Sequence, residues 1–170
     1  RDCEYELIKK FATVTDLVEG GNGIKDFNAN VPFPSPNNGL EIIWNHIVRY
    51  RTPVGFSRRY IQAPVQANGA FSPVLFEEKA LFANRVPGNP NPNRLVVFLQ
   101  SILAPARLEG DVLLVHENID QIAEPRSAWV YNAGQRRVRR APNIAYDGPG
   151  TASDGLRTAD DLDLYNGAPD

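Results

Sequence analysis

Apolar residues near the start of the chain recur at three- and four-residue spacing. Leu7, Ile8, Phe11, Val14 and Val18 share one side of a helical wheel, with Lys9, Lys10, Asp16 and Glu19 elsewhere on it. A helix is predicted there, stopped by Gly20 and Gly21, since glycine past a helix end adopts the left-handed cap without steric cost. Asn22 to Asn38 reads as loop. Its prolines at 32, 34 and 36 favour an extended strip from which Val31 and Phe33 can pack. A second helix is marked by Asn38 as N-cap and Glu41 three residues later. Leu40, Ile43, Trp44 and Ile47 form its apolar face, and Pro53 enforces the stop. His46, between Asn45 and Arg49, reads as a surface or capping residue.

After Pro53 the pattern changes to strands. Val54 to Gln66 and Ala70 to Phe82 flank a turn at Ala67-Asn68-Gly69. A polar loop over 84–93 follows, with prolines at 87, 90 and 92. Arg94 to Leu103 and Leu108 to Ile119 are the strongest strand patterns. The middle of the second is apolar on both parities, as in a strand covered on both sides. Ala128 to Tyr131 and Gln135 to Arg140 flank Asn132-Ala133-Gly134, a hairpin loop with Gly134 expected at the left-handed position. A turn at 147–150 and one short helix over Thr158 to Tyr165 complete the chain. Two helices followed by about six strands on hairpin-length loops predict an α+β fold with an antiparallel sheet.

Composition narrows the function classes. A chain of 170 residues with 42% hydrophobic residues is expected to form one domain, 1–170, with a real core, and is neither collagen-like, coiled-coil nor disordered. A formal net charge of -2 argues against electrostatics-driven nucleic-acid binding, although Tyr60, Trp129 and Tyr131 could stack bases. The longest apolar run, Leu95 to Leu99, is far too short for a membrane helix. A single cysteine, Cys3, makes no intrachain disulfide. The chain starts at Arg1 and has no methionine, so it is expected to begin after a processing or cutting event.

Catalytic patterns are missing. The sequence has no Gly-x-Ser-x-Gly elbow, no zinc motif and no phosphate loop, since Gly20-Gly21-Asn22-Gly23 lacks the following Lys-Ser/Thr. His46 and His116 stand without motif context, and His116 and Glu117 point to opposite faces of a strand. The reading is non-enzymatic, without cofactor or metal. Arg136, Arg137, Arg139 and Arg140 are the most conspicuous polar feature. The alternatives for them are a solvated sheet edge, a site for an anionic headgroup or acidic partner, and neutralisation by the aspartates beyond Asp154. Strands apolar on both parities with few helices as covers fit a filled core or a hollow between helices and a curved sheet.

Five stretches resemble a known bacterial family. They are Val-Glu-Gly-Gly-Asn-Gly at 18–23, Val-Pro-Phe-Pro at 31–34, Asn-Gly-Leu-Glu-Ile-Ile-Trp-Asn-His at 38–46, Ala-Trp-Val-Tyr-Asn-Ala-Gly-Gln-Arg-Arg-Val-Arg-Arg-Ala-Pro at 128–142, and Asp-Gly-Leu-Arg-Thr-Ala-Asp-Asp at 154–161. They are similar to domain of unknown function 1329, an outer-membrane lipoprotein-sorting-like family of Gram-negative bacteria. The resemblance covers essentially the whole chain and is most specific over 128–142. It implies a fold like the Lol-type lipoprotein carriers LolA and LolB: a strongly curved antiparallel sheet, an incomplete barrel, covered by helices on its concave side. It also implies that the chain is the N-terminal-to-middle part of a longer domain, located in the periplasm or at the outer membrane.

The function expected from these readings together is a non-enzymatic carrier for lipid, lipoprotein acyl chains or another hydrophobic ligand, linked to outer-membrane transport. Candidate cavity residues are Trp44, Ile47, Phe71, Phe76, Phe98, Leu114 and Trp129, with Arg136, Arg137, Arg139 and Arg140 at an anion-binding rim. The alternative is an interaction module with a filled core, docking a resistance-nodulation-type permease or an outer-membrane protein through those arginines or the proline strip.

Overall fold

In the computed structural model, described over residues 2–27, 30–141 and 147–162, the first helix is shorter than its apolar spacing predicts. Helix α1 (Asp2–Phe11) ends before Val14 and Val18. The run Thr13-Val14-Thr15 is β-branched and loses side-chain freedom against a helical turn, and Val14 is left exposed. Asp16–Leu17 (β1) then turns back to pair antiparallel with Ile24–Lys25 (β2). Gly20 and Gly21 supply the reversal, at φ of 79° and 82°.

Helix α2 (Gly39–Val48) is capped as its sequence suggests: the Asn38 side chain accepts the Glu41 N–H at 3.0 Å. The returning half of the capping box is displaced by one residue, because Glu41 Oε2 accepts from the Asn37 N–H at 2.7 Å. The proline strip lies against this helix. The Phe33 N–H donates to Asn45 Oδ1 (2.9 Å), Asn45 Nδ2 donates to the Phe33 carbonyl (2.7 Å), and Pro32, the first proline of the strip, is fully buried.

Six further strands form one antiparallel sheet whose spatial order is the chain order: β3 (Gly55–Gln62), β4 (Val74–Leu81), β5 (Arg94–Ala104), β6 (Val112–Asn118), β7 (Ser127–Asn132) and β8 (Arg137–Arg140). Strand β6 starts at Val112, not Leu108, because Gly110 at φ 89° closes the preceding turn and Leu108 is turned into the core. In the β7–β8 loop the left-handed residue is Arg136 (φ 51°), not Gly134. Asn132 pairs with Arg137, which leaves a four-residue loop, and the Asn132 side chain accepts the Gln135 N–H at 2.8 Å.

Among the described residues neither α-helix lies over the middle of this sheet, contrary to the expected arrangement. Helix α1 buries no residue. Helix α2 packs Trp44, Ile47 and Val48 at one corner, against Ile24, Leu95 and Ile119. The middle is closed by Leu108 and Ala152, which pack on Val74, Phe76 and Ile102. Gln62 holds the Ala152 segment in place, its Nε2 donating to the Ala152 carbonyl at 3.1 Å. The described part of the expected final helix is a turn, in which the Asp161 carboxylate accepts the Thr158 N–H at 2.9 Å; residues 163–165 lie outside the described residues. The architecture is α+β, dominated by one antiparallel sheet.

Candidate functional site

Cross-strand register divides the sheet into two unlike faces. One carries Tyr60, Phe76, Glu78, Gln100, Ile102, Val115 and Ala128, most of them buried, and its far end is exposed, at Val130, Arg137 and Arg139. Its polar members satisfy one another. Arg58 reaches Glu78 with Nη2 at 3.0 and 3.1 Å from the two carboxylate oxygens, and its guanidinium lies over the rings of Phe56 and Tyr60. Gln100 Nε2 donates to the Tyr60 hydroxyl at 2.6 Å. Burial, and then the Glu78 charge, pushes the Tyr60 phenol above its usual range. Further along the same face, Arg126 Nε meets Glu117 at 2.6 Å, both side chains buried. These groups hold register in a mostly closed layer, with the Arg58 guanidinium at its solvent edge.

The second face is open. It presents Val97, Leu99, Val112, Leu114, Trp129 and Tyr131 across β5–β7, continued by Leu81 and Val138 on the flanking strands. None of these eight is buried. The face closes at one end, where the 119–125 segment folds over Asn118. The His116 ring stands edge-on to Trp129, with centroids 4.9 Å apart. Partial burial, and then the Arg94 charge, lowers the His116 pKa and favours the neutral imidazole. One rim holds Arg59 and Lys79, which share the Glu77 carboxylate at 3.2 and 3.4 Å. The opposite rim holds Arg140, whose Nη2 donates to Ser127 Oγ at 3.2 Å.

The residues expected to line one cavity fall in different places. Trp44 and Ile47 are core, and the Trp44 indole N–H donates to the Gly21 carbonyl at 2.9 Å. Phe76 is fully buried on the closed face, stacked on Tyr60, and Phe98 packs beside it against the Ala80, Phe82 and Val96 cluster. Phe71 is 63% exposed in the β3–β4 connection. Leu114 and Trp129 are brought together, as directly paired neighbours on the open face. The four arginines separate by parity: Arg140 belongs to the open face, Arg137 and Arg139 to the other, and Arg136 to the turn. All four are exposed, and no carboxylate among the described residues pairs with them. The Asp-bearing segment 147–162 packs at the β3–β4 end, so its described aspartates do not neutralise β8.

Sequence reasoning missed Val97, Leu99, Val112 and Tyr131 as site residues. Their signal in the sequence is that β6 is apolar on both parities, a pattern that a strand covered on both sides shares. A separate cleft of about 820 Å³ lies away from the sheet faces, among Glu4, Asp26, Asn30, Val48 and Arg85. Arg85 is used structurally there, donating to Asn30 Oδ1 and to the Val48 carbonyl. Among the described residues no group of three His, Cys, Asp or Glu could hold a metal ion, and no helix is long and apolar enough to cross a membrane.

A family model described as a protein of unknown function (DUF1329) matches residues 2–170. The uncharacterized protein PA3922 of Pseudomonas aeruginosa is 57% identical over 169 residues, covering 97% of this chain and 37% of that protein. The chain thus spans well under half the length of this relative. Two solved structures are similar at low identity. A domain described as outer-membrane lipoprotein-sorting from Vibrio parahaemolyticus has a TM-score of 0.42 and 18% identity, over 60% of this chain and 39% of that one. A DUF1329 family protein from Desulfovibrio piger has a TM-score of 0.46 and 14% identity, over 66% and 44%.

Proposed function

The chain belongs to the DUF1329 family, and from that premise we propose that it forms part of a non-enzymatic envelope protein that holds a hydrophobic ligand, such as a lipid or an acyl chain, on the open sheet face. The supporting observation is that apolar face itself: Leu99, Leu114 and Trp129 stand side by side on three adjacent strands, and none is buried. Contiguous apolar surface left half-exposed in this way marks a binding site more often than an ordinary solvated surface. Each methylene removed from water contributes about 0.8 kcal/mol, so a single acyl chain lying on the face suffices for useful affinity. A strongly curved sheet, an incomplete barrel, would deepen the face into a trough, and a location in the periplasm or at the outer membrane completes the proposal.

The test uses the full-length protein and the neutral hydrophobic probe N-phenylnaphthylamine. Displacement of the probe by fatty acid or lysolipid, together with quenching of Trp129 by brominated acyl chains, is the expected result. Trp44, buried in the α2 corner, should stay unquenched. Failure of every lipid to displace the probe sinks the proposal. Osmotic-shock fractionation of the native host checks the location.

A second reading is favoured by β8, an edge strand whose four residues are all exposed. Here the same fold docks a membrane permease or outer-membrane protein through Arg136–Arg140. A pull-down that survives delipidation and is lost on reversing the charges of Arg137 and Arg139 would select it.

A further inference from the structure

We propose that the ligand of the open face is a single-chain amphiphile with an anionic headgroup, its chain lying across the strands over Leu99, Leu114 and Trp129 and its charge bound by Arg140. This rests on the carrier reading and specifies the ligand's class and direction. Register places Lys79, Leu99, Leu114, Trp129 and Arg140 in one continuous row across β4 to β8. With strands about 4.8 Å apart, the row runs roughly 19 Å from cation to cation, with three apolar side chains between.

The two ends of the row differ in charge balance. Lys79 and Arg59 share the Glu77 carboxylate, so the β4 end already holds an anion of its own. Arg140 at the β8 end has a neutral hydroxyl as its hydrogen-bond partner, Ser127 Oγ at 3.2 Å. No carboxylate among the described residues pairs with it. The three other arginines of the cluster do not compete for the same headgroup, because Arg137 and Arg139 belong to the opposite face and Arg136 to the turn. A guanidinium beside an indole and a hydroxyl suits a carboxylate or phosphate whose tail continues over the ring.

The experiment measures displacement of N-phenylnaphthylamine from the full-length protein by hexadecanoate and by hexadecanol, below their aggregation concentrations. The wild type should prefer the acid by about fivefold, the scale of one partly exposed charge pair. Arg140→Gln should abolish that preference while leaving the alcohol unchanged, Arg140→Lys should retain most of it, and Arg137→Gln should not alter it. Equal binding of acid and alcohol in the wild type, or an unchanged preference in Arg140→Gln, overturns the headgroup site and leaves the carrier reading standing. Binding of neither compound overturns the carrier reading itself. If hexadecanoate fails but phosphatidylglycerol vesicles bind, and Arg137→Gln and Arg140→Gln weaken this equally, the cluster is a membrane-surface patch and the proposal is wrong.

Discussion

Neighbouring residues in this sheet carry very different energetic weight, and parity decides which. Phe76 is fully buried against Val74, Ile102 and Tyr60, so Phe76→Ala is expected to cost about 3–5 kcal/mol. Leu114 is equally apolar but stands on the open face, and Leu114→Ala should cost about 1 kcal/mol or less. Urea unfolding of the two variants checks the contrast; equal losses would mean that the second face is covered in solution. His116 gives the open face a pH dependence near neutrality. Its folded-state pKa lies below the ordinary value of about 6.5, so the unfolded chain takes up the proton first. Stability from this residue is complete above that pH and is lost as pH falls from there through the folded pKa. His116→Asn should flatten the slope in that window, measured as the urea midpoint against pH.

At the scale of elements, the signals that survive folding are those tied to backbone requirements. Asn38 and Gly69 marked a helix start and a turn, and the structure uses them as such, whereas helix α2 ends at Val48 with Arg49 as its C-cap, before Pro53 is reached. Periodicity alone misled: Val14 and Val18 fit the wheel of α1, yet the helix ends at Phe11, before the β-branched run Thr13-Val14-Thr15. Glycine position misled in the β7–β8 loop, where loop length places Arg136 rather than Gly134 at positive φ. A non-glycine residue there carries left-handed strain of about 1 kcal/mol. Arg136→Gly is therefore expected to raise the melting temperature slightly, provided that the loop keeps its four-residue form. The candidate site was half legible, because Leu114 and Trp129 are recognisable as large apolar residues in strands. Their pairing, and the allocation of Arg140 alone to their face, depend on register. Register is set by how hairpin loops close, and composition does not encode it.

For the whole molecule, the decisive asymmetry is that one sheet face is closed over β4 and β5, largely by non-helical segments, while the other is left half-exposed. Helix α2 anchors a corner, and the Gln62 contacts tie the Ala152 segment to β3 from far along the chain. Loops can close a layer in this way because Glu78, Gln100 and Glu117 inside it already have partners. The chain's charge is correspondingly uneven. A formal net charge of -2 coexists with four exposed arginines within 136–140, so net charge alone understates what the β8 end offers to an anion.

Strands that meet in the order in which they are made have a temporal consequence. Each of the five pairings from β3 to β8 joins sequence neighbours, so no distant segment must be found before a hairpin can close. Search time is then set by the loops between neighbouring strands, and refolding should be quick for so strand-rich a protein. Assembly can proceed hairpin by hairpin from either side of the sheet. The contacts that come last are the long-range ones, above all the seating of 147–162 on β3 and β4, and they should dominate the slow phase of a stopped-flow trace.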